Sequence, residues 1–496
     1  MSAAEVVSYG RRLTDMAALR PDDADLVMVD RAGAERPVTW RELEVRANQI
    51  GRLLDRHGVT AGSIVALALP SCLDHILVTL AIWKLGATLL PLRHDMPQWE
   101  MDRLLELGRP TVLVSDAHRS TSTACLTRRD IAASTSWSDA PLSDRISECV
   151  NLIASSGSTG LPKLIVTPVR GVVAGDPQVR YIIDRPTTIL VTSPLYHVNG
   201  FNFASPPLLE GARSVVMEKF DAALAVDLVE RHRITLTVMV PTMLQRIARL
   251  DGVRREQLAS LETVLYGGST IPEWLVDRWI DLVGPDVFQL SYGSSERIGL
   301  VRMTGREWAD HRGATGRPVD ATISIRDDDG NELPAGAVGH IYMRPTDPGR
   351  RLFDYIGMAR PEPTADGYHT VGDMGSVDGD GYLYVADRRK DLIITGGANV
   401  FPAEVEAALS EHPAVIDQVV VGVPDPEWGQ RVHAIVQPAD PAAPPDVEEL
   451  RAFCKQRLVG YKVPKTYEVV ERIGRTDAGK LNRTRLGAAR GEGARG

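Results

Sequence analysis

Apolar residues recur at helical spacing in the segment that follows Thr39, and Gly58 marks the end of this run. Glu42 stands three residues after Thr39, which is the spacing of a capping box. Next, SIVALALP is typical of a buried strand, DHILVTLAIWKLG of a helix and ATLLPL of a second strand. This order predicts a βαβ unit with parallel strands. The apolar positions of the first helix are Leu43, Ala47, Ile50 and Leu54.

The same alternation continues through most of the chain. Buried strands are predicted at TILVTSP, RSVVMEKF, LTVMVPT and TVLYGG. Helices are predicted between them, at AALAVDLVERH, TMLQRIARL and PEWLVDRWIDLV. No repeat of solenoid period is present. The pattern therefore predicts a large α/β N-terminal domain.

The pattern changes at residues 376–400. SVDGDGYLYVADRR is typical of a hairpin, with Gly379 and Gly381 as turn residues. Beyond it, helices are expected at AEVEAALSEH and VEELRAFCKQRL, and strands at DQVVVGVPD, RVHAIVQP and KTYEVVERI. We expect a small α+β C-terminal domain, with the boundary at DRRKD (387–391), so that the domains span 1–389 and 390–496. The end, LGAARGEGARG, is expected to be disordered.

Composition and charge exclude several classes of protein. The chain has 496 residues and a formal net charge of −9, which does not favour binding to nucleic acid or to an anionic membrane. Its four cysteines are scattered and form no C-x-x-C pair. The N-terminus lacks the apolar core of a secretory signal, and the most apolar stretch is interrupted by Lys84, Gly86 and Pro91. We expect a cytoplasmic protein with no membrane partner.

The stretch SSGSTGLPK (155–163) combines hydroxyls, bare backbone and a lysine. A P-loop needs G-x-x-x-x-G-K-[ST], which the spacing of these glycines does not match. The chemistry still favours phosphate, because glycines let backbone N–H groups approach an anion and hydroxyls add donors. By itself the stretch is equally typical of a surface turn.

Further motifs follow in order: YGSSE (292–296), YHTVGD (368–373), DRRKDLIITGGANVFPAEVE and RTDAGKLNR. With SSGSTGLPK they resemble, over essentially the whole chain, the adenylate-forming superfamily of acyl- and aryl-CoA synthetases, nonribosomal adenylation domains and luciferases. GATGRPV and GKLNR are most similar to the bile-acid and fatty-acid CoA ligase branch. The resemblance implies a large adenylate-forming domain followed by a small mobile lid.

The resemblance implies a two-step ligase. A carboxylate attacks the α-phosphate of ATP, which gives an acyl-adenylate and pyrophosphate, and a thiol then displaces AMP. The expected cofactors are ATP, Mg²⁺ and CoA as co-substrate. The expected partners are a small carboxylic acid and CoA or a carrier-protein pantetheine, acting on a monomer or homodimer. Secondary metabolism is the expected setting.

The resemblance also implies a nucleotide site. Tyr292 would stack on adenine, Glu296 would bind Mg²⁺, and Asp373 would accept the ribose hydroxyls. Arg388 would contact the ribose, and Ser295, where the family usually has Thr, would meet the α-phosphate. The phosphate loop would comprise Ser155, Ser156, Gly157, Ser158, Thr159, Gly160 and Lys163, and the remaining nucleotide contacts Gly267, Gly268, Gly293 and Ser294.

Catalysis would involve Lys480, which bridges the carboxylate and the α-phosphate, together with Glu296 and His197. Lys390 would be the hinge, and Gly396 and Gly397 would line the pantetheine tunnel. Several of these residues also have a purely structural interpretation. Tyr292 or His197 could pack in a core, the glycines could form ordinary turns, and Arg388 and Lys480 could be solvated charges.

The acid pocket is predicted at His197, Asn199 and Arg297. Arg297 departs from relatives that carry small or neutral residues after the glutamate, and a guanidinium there would suit a polar aryl acid. An arginine that points to solvent or pairs with a surface acid is the alternative. Two other functions stay open: adenylation with a different acceptor (carrier protein, amine, or nitrite activated to diazotise an arylamine), and a catalytically inactive nucleotide-binding module.

Overall fold

The computed structural model describes residues 6–120, 122–156, 162–173, 187–267, 270–388, 391–476, 481 and 483–492. The helices are α1 Tyr9–Leu19, α2 Trp40–Arg56, α3 Leu73–Lys84, α4 Gln98–Gly108, α5 Arg128–Ala133, α6 Val198–Leu209, α7 Ala222–His232, α8 Pro241–Ala248, α9 Glu273–Val283, α10 Gly305–Trp308, α11 Pro402–Ser410, α12 Val447–Lys455 and α13 Arg483–Glu492.

The strands of the large domain are β1 Leu26–Val29, β2 Glu35–Val38, β3 Ile64–Ala68, β4 Thr88–Pro91, β5 Val112–Ser115, β6 Ala124–Leu126, β7 Leu152–Ser156, β8 Pro162–Val166, β9 Thr188–Val191, β10 Arg213–Met217, β11 Leu236–Met239, β12 Thr263–Tyr266, β13 Phe288–Gly293, β14 Leu300–Thr304, β15 Arg317–Pro318, β16 Ala321–Arg326, β17 Gly339–Pro345, β18 Asp354–Ile356, β19 Asp373–Val377 and β20 Leu383–Arg388. The small domain adds β21 Ile393–Thr395, β22 Ala398–Val400, β23 Val415–Asp425, β24 Gly429–Pro438 and β25 Thr466–Val469.

The helix predicted after Thr39 is α2, and its N-terminal cap differs from the predicted one. Thr39 accepts a hydrogen bond from the backbone N–H of Glu42 at 3.2 Å, which is one half of the capping box. The Glu42 carboxylate instead pairs with Arg36 at 2.6 Å. Gly58, where the sequence predicts the end of the helix, has a φ of +85°, a conformation that glycine adopts without strain.

Two sheets carry the predicted α/β alternation. The larger has nine strands in the order β15-β14-β13-β12-β11-β9-β10-β1-β2, and its central strands from β1 to β13 are parallel. The smaller is the parallel sheet β4-β3-β5-β6, which contains the predicted βαβ unit. Buried apolar side chains of α1–α3 and the strands fill the space between them, with Trp40 and Trp83 each 1% exposed. The α/β prediction is confirmed.

Antiparallel strands complete the large domain. A three-stranded sheet has the order β18-β8-β7, and a four-stranded sheet the order β16-β17-β19-β20. The hairpin expected at SVDGDGYLYVADRR is β19–β20, and it belongs to the second of these sheets. The sequence patterns did not select the other antiparallel strands of these two sheets, which are β7, β8, β16, β17 and β18.

The small domain is the predicted α+β unit. Its sheet has the order β22-β21-β24-β23, with β25 parallel to β24. The expected disorder at the end of the chain is wrong for residues 486–492, which lie in α13. Arg490 in this helix pairs with Glu468 on β25, and Arg483 donates to Glu406 on α11 at 2.7 Å. These charge pairs anchor a segment whose glycines suggested a loose tail.

The small domain contacts the large one through a few polar side chains. Arg249, at the end of α8, donates to the carbonyl oxygen of Ser410 at 2.8 Å and to that of Val415. Gln245 donates to the carbonyl of Ile416 at 3.3 Å, and the Trp274 indole donates to the Ser410 hydroxyl at 2.9 Å. Most of these acceptors are backbone carbonyls. Within the described ranges, no helix is both long and apolar enough to cross a bilayer.

Candidate active site

The predicted nucleotide and acid residues meet at one edge of the nine-stranded sheet. His197 follows β9, Gly267 follows β12, and Tyr292 lies near the end of β13. These strands are parallel, and β11 stands between β9 and β12 in the sheet. The carboxyl ends of parallel strands open onto one crevice, which is where α/β sheets bind ligands.

Tyr292 and Asp373 form a direct pair. The Tyr292 hydroxyl donates to Oδ2 of Asp373 at 2.8 Å, and Asp373 is 7% exposed. A carboxylate accepts up to about four hydrogen bonds, so this bond is compatible with ribose hydroxyls as further donors. Asp373 also stands opposite Arg388 in the β19–β20 ladder, which brings the backbone of Arg388 beside the pair. The side chain of Arg388 lies outside the described part of the structure.

A buried tyrosine supports the strand end that carries Gly267. Burial raises the pKa of Tyr266, so its phenol is neutral at physiological pH. The Tyr266 carbonyl accepts a hydrogen bond from Ser291 on the neighbouring strand at 2.7 Å. A Cβ on Gly267 would lie 3.3 Å from the Ser291 hydroxyl, so the two strand ends are closely spaced here.

The loop 293–297 makes a tight turn after β13. The backbone N–H of Arg297 donates to the Ser294 carbonyl at 3.0 Å, and Arg297 has a φ of +56°. This left-handed conformation is uncommon for a residue other than glycine. Arg350 donates to the Arg297 carbonyl at 2.7 Å and pairs with Asp320 at the same distance. The held turn orients Glu296, which is 8% exposed, and leaves Arg297 half-buried.

Glu296 lies in a cluster with two other side chains. Its Oε1 is 3.5 Å from the ammonium of Lys163 and accepts a hydrogen bond from the Tyr355 hydroxyl at 2.7 Å. The Lys163 ammonium also lies 3.6 Å from the centroid of the Tyr355 ring. The motifs selected Glu296 and Lys163 but not Tyr355. Tyr355 sits in a three-residue strand inside a turn-rich stretch, where no spacing in the sequence distinguishes it.

The described ends of the predicted phosphate loop lie on the paired antiparallel strands β7 and β8, which we call the phosphate hairpin. Ser155 pairs with Lys163 and Ser156 with Pro162, so the two ends of the motif are adjacent strand residues. The positions Gly157, Ser158, Thr159 and Gly160 lie outside the described residues, as does the side chain of Ser156.

His197 caps the helix that begins beside the crevice. Its Nδ1 accepts a hydrogen bond from the backbone N–H of Asn199 at 3.4 Å, and both residues are half-buried. A Cβ on Gly200 would lie 2.1 Å from the Pro194 carbonyl oxygen, so this close approach requires glycine. The predicted acid-pocket residues His197 and Asn199 thus share one tight turn at the start of α6.

A buried histidine, His75, lies in α3, and the start of that helix is tied to this turn. The backbone N–H of Leu195 donates to the Ser71 hydroxyl at 3.0 Å, which ties the turn to the start of α3. In α3, burial lowers the pKa of His75 to about 3, so the ring is neutral. Nε2 of His75 has no hydrogen-bond partner among the described residues.

The small domain contributes a glycine turn. Gly396 and Gly397 join β21 to β22 with φ values of +56° and +79°. A Cβ on Gly396 would lie 2.6 Å from Cε3 of Trp428, whereas one on Gly397 would meet nothing within 4 Å. The predicted hinge Lys390, the catalytic Lys480 and Gly268 lie outside the described ranges.

The carboxylate at the site suits Mg²⁺. No group of three or more His, Cys, Asp or Glu side chains that could hold a metal occurs among the described residues. Mg²⁺ needs no such cage, because it is usually held by one or two carboxylates together with substrate phosphates and water. Glu296, a buried hard-oxygen donor beside the base of the phosphate hairpin, fits that pattern.

The Tyr292–Asp373 pair, the contact of Glu296 with Lys163 and a separate small domain fit a two-domain enzyme that uses a nucleotide to activate its substrate. The chain belongs to the family of AMP-binding enzymes: the family model matches residues 13–347, and the model of the AMP-binding enzyme C-terminal domain matches residues 404–480. This confirms the resemblance drawn from the motifs and the division into a large and a small domain.

Relatives extend over almost the whole chain. A feruloyl-CoA synthase of Amycolatopsis sp is 33% identical over 462 residues, which cover 90% of this chain and 92% of the relative. A fatty acid–[acyl-carrier-protein] ligase, ScoC of Streptomyces coeruleorubidus, is 31% identical over 481 residues and 91% of each chain. The structure of amide bond synthetase McbA from Marinactinospora thermotolerans matches with a TM-score of 0.76 and 27% identity, covering 97% of this chain and 98% of that one.

Proposed function

We propose that this protein activates a carboxylic acid with ATP as an acyl-adenylate, releases pyrophosphate and transfers the acyl group to CoA. The carrying observation is the contact of Glu296, in the turn after β13, with Lys163 on β8, together with the Tyr292–Asp373 pair at the end of β13. The family match supports adenylation, and the similarity to a feruloyl-CoA synthase supports a thioester product and an aryl acid.

In this proposal the chain's own residues bind and orient ATP. Tyr292 stacks on adenine while its hydroxyl holds Asp373, which accepts the ribose hydroxyls. Lys163 supplies positive charge to the phosphates, and Glu296 holds Mg²⁺. When bound, Mg²⁺ neutralises charge on the phosphates, which is the main requirement of phosphoryl and adenylyl transfer.

The domain division belongs to the same proposal. We place the boundary at residues 387–391, with Lys390 as the hinge, Lys480 reaching the α-phosphate and the Gly396–Gly397 turn facing the incoming thiol. Substituting Lys480 by Ala is expected to slow adenylation on the order of 10²–10³-fold. A cytoplasmic monomer or homodimer remains our prediction for the state in the cell.

Arg297 is our candidate for acid selectivity. It is half-buried, and its backbone is held in the turn that also carries Glu296. A guanidinium at this position would suit a polar aryl acid. In the Arg297→Met variant we expect about tenfold weaker use of acids with a second polar group and little change for apolar acids. An equal effect of the substitution on polar and apolar acids would contradict the assignment of Arg297 to the acid pocket.

A second candidate differs only in the acceptor. The chain is 31% identical to a carrier-protein ligase and similar in structure to an amide bond synthetase. A carrier-protein thiol or an amine is therefore a supported alternative to CoA. Activation of nitrite for diazotisation of an arylamine is a further acceptor scheme that the same adenylation chemistry permits.

The test is pyrophosphate release with Mg-ATP against fatty, aryl and amino-aryl acids and nitrite, each with and without CoA, with products followed by mass. We expect release that depends on one acid class and a CoA thioester of the matching mass. Pyrophosphate release that does not depend on CoA, or that needs nitrite and an arylamine together, would mean that CoA is not the acceptor. If no substrate in the panel supports pyrophosphate release, the proposed activation is contradicted.

A further inference from the structure

Tyr355 lies on the same face of a sheet as Lys163. In the β18–β8 ladder Tyr355 stands opposite Ile165, and Lys163 is two residues from Ile165 along β8. Side chains two residues apart on a strand point to the same face, so Tyr355 and Lys163 are diagonal neighbours. The strand pairing itself therefore sets the ring beside the lysine.

The tyrosine contacts both charged groups of the cluster. Its hydroxyl donates to Oε1 of Glu296 at 2.7 Å, and its ring centroid lies 3.6 Å from the Lys163 ammonium. The ammonium is 3.5 Å from that same Oε1. The side chains of Lys163 and Glu296 are 14% and 9% exposed, so solvent screens them little.

The separation of the two charges is longer than an unrestrained pair would adopt. Charge-assisted N–H···O contacts usually close to about 2.7–2.9 Å. A closed Lys163–Glu296 pair would offer less negative charge to a cation and less positive charge to a phosphate. The phenol occupies the carboxylate oxygen, and the aromatic face attracts the ammonium through a cation–π contact.

We propose that Tyr355 is a positioning residue that prevents Glu296 and Lys163 from closing into a tight ion pair, which keeps the carboxylate available to Mg²⁺ and the ammonium available to ATP phosphates. This inference rests on the proposed function, since it assigns a task within the same site. It adds a residue from β18 to a site otherwise built from the phosphate hairpin and the β13 turn.

The test separates the hydroxyl from the ring. Tyr355→Phe keeps the aromatic face and removes the donor to Glu296, whereas Tyr355→Leu removes both. Tyr368→Phe is the matched control, because the Tyr368 hydroxyl also has a hydrogen-bond partner, Thr322 at 3.1 Å, and its ring also lies 4.7 Å from an arginine, Arg344. These partners of Tyr368 lie on β16 and β17 and are not members of the cluster.

The measurement is ATP binding by calorimetry without any acid or acceptor, in EDTA and across a series of Mg²⁺ concentrations. In Tyr355→Phe we expect the Mg²⁺ concentration for half-maximal ATP binding to rise about tenfold, and excess Mg²⁺ to restore binding. Tyr355→Leu is expected to lose a further few-fold, and binding by Tyr368→Phe to match that of the wild type.

Two results would overturn the inference. One is an unchanged Mg²⁺ requirement in Tyr355→Phe. The other is a loss of binding that excess Mg²⁺ does not restore, together with a lower melting temperature, which would indicate a packing role only. Because no acid is present, failure to find an acid substrate would leave this result intact, whereas a wild-type protein that binds no Mg-ATP would remove both proposals.

Discussion

The two halves of the site are held in different ways. In the large domain, Glu296 is buried and Lys163 and Tyr355 are half-buried. The three contact one another through side chains and lie on strands or on a turn held by Arg350. The small domain is held against the large one by side chains such as Arg249 that bond mostly to backbone carbonyls. The comparison suggests that the residues proposed to bind ATP are held in fixed positions, whereas the contacts of the small domain with the large one can be broken.

The docking contacts are of a kind that can be broken and remade. Burial lowers the pKa of Arg249, which reflects the cost of shielding its charge from water. Its acceptors are carbonyl oxygens of Ser410 and Val415 rather than carboxylates. On separation, water can solvate both partners, so the net stabilisation is modest. The hinge that we propose at Lys390 would require an interface of this kind.

The largest expected effect tests the residues proposed to bind ATP. Glu296→Gln removes the charge that we assign to Mg²⁺, and acid-dependent exchange of pyrophosphate into ATP is expected to fall on the order of 10²–10³-fold. Glu307→Gln is the matched control, because Glu307 also accepts a tyrosine hydroxyl, from Tyr382 at 3.1 Å, outside the site. Equal exchange in the two variants would contradict the assignment of Glu296.

The next effect tests the small domain alone. Gly396→Ala places a methyl group against Trp428 at a positive φ, and we expect about a tenfold slower transfer to the acceptor with pyrophosphate exchange unchanged. Gly397→Ala has the same kind of backbone but open space, and should have a smaller effect. If Gly396→Ala also lowered pyrophosphate exchange, the glycine turn would not act in the transfer step alone.

A smaller effect is expected at the docking contacts. Arg249→Ala removes two hydrogen bonds to the small domain, and cleavage by a protease near residues 387–391 should become about 3–10 times faster as the lid spends more time undocked. Arg246→Ala, at an exposed position of the same helix, is the control. Cleavage at the wild-type rate in Arg249→Ala would mean that other contacts determine docking.

The last prediction concerns the stability of the large domain in acid rather than the activity of the site. The pKa of His75 is about 3 in the folded chain, below its ordinary value of 6.5, because burial disfavours the charged ring. The unfolded chain binds the extra proton between these values, so stability is full above pH 6.5 and falls as pH decreases towards 3. His75→Leu should remove the uptake of about one proton on unfolding between these pH values, so the melting temperature should depend less on pH. An unchanged dependence of melting temperature on pH would contradict this.

Strong periodicity predicted much of the fold. The βαβ unit, the central strands from β9 to β12 and helices α7–α9 all follow long apolar patterns, and each is where the sequence places it. The end of the chain was predicted wrongly because its glycines suggested disorder, whereas the pairs of Arg490 with Glu468 and Arg483 with Glu406 depend on distant residues. Tertiary charge pairs leave no local signal.

The site was predictable only in part. Short motifs selected four residues that the structure brings together as two pairs: Glu296 with Lys163, and Tyr292 with Asp373. Tyr355 was not selected, because its role depends on the pairing of β18 with β8 across nearly 200 residues. The roles assigned to Lys390 and Lys480 remain predictions from the motifs.

The most direct test of the central claim is a single-turnover reaction without acceptor. Enzyme is mixed with Mg-ATP and an aryl acid that supports pyrophosphate release, and the mixture is quenched for mass analysis before and after CoA is added. The account predicts an enzyme-bound acyl-AMP that CoA converts to the acyl-CoA thioester and AMP. ATP consumption that yields ADP, or AMP formed with no acyl-AMP at any time, would contradict it.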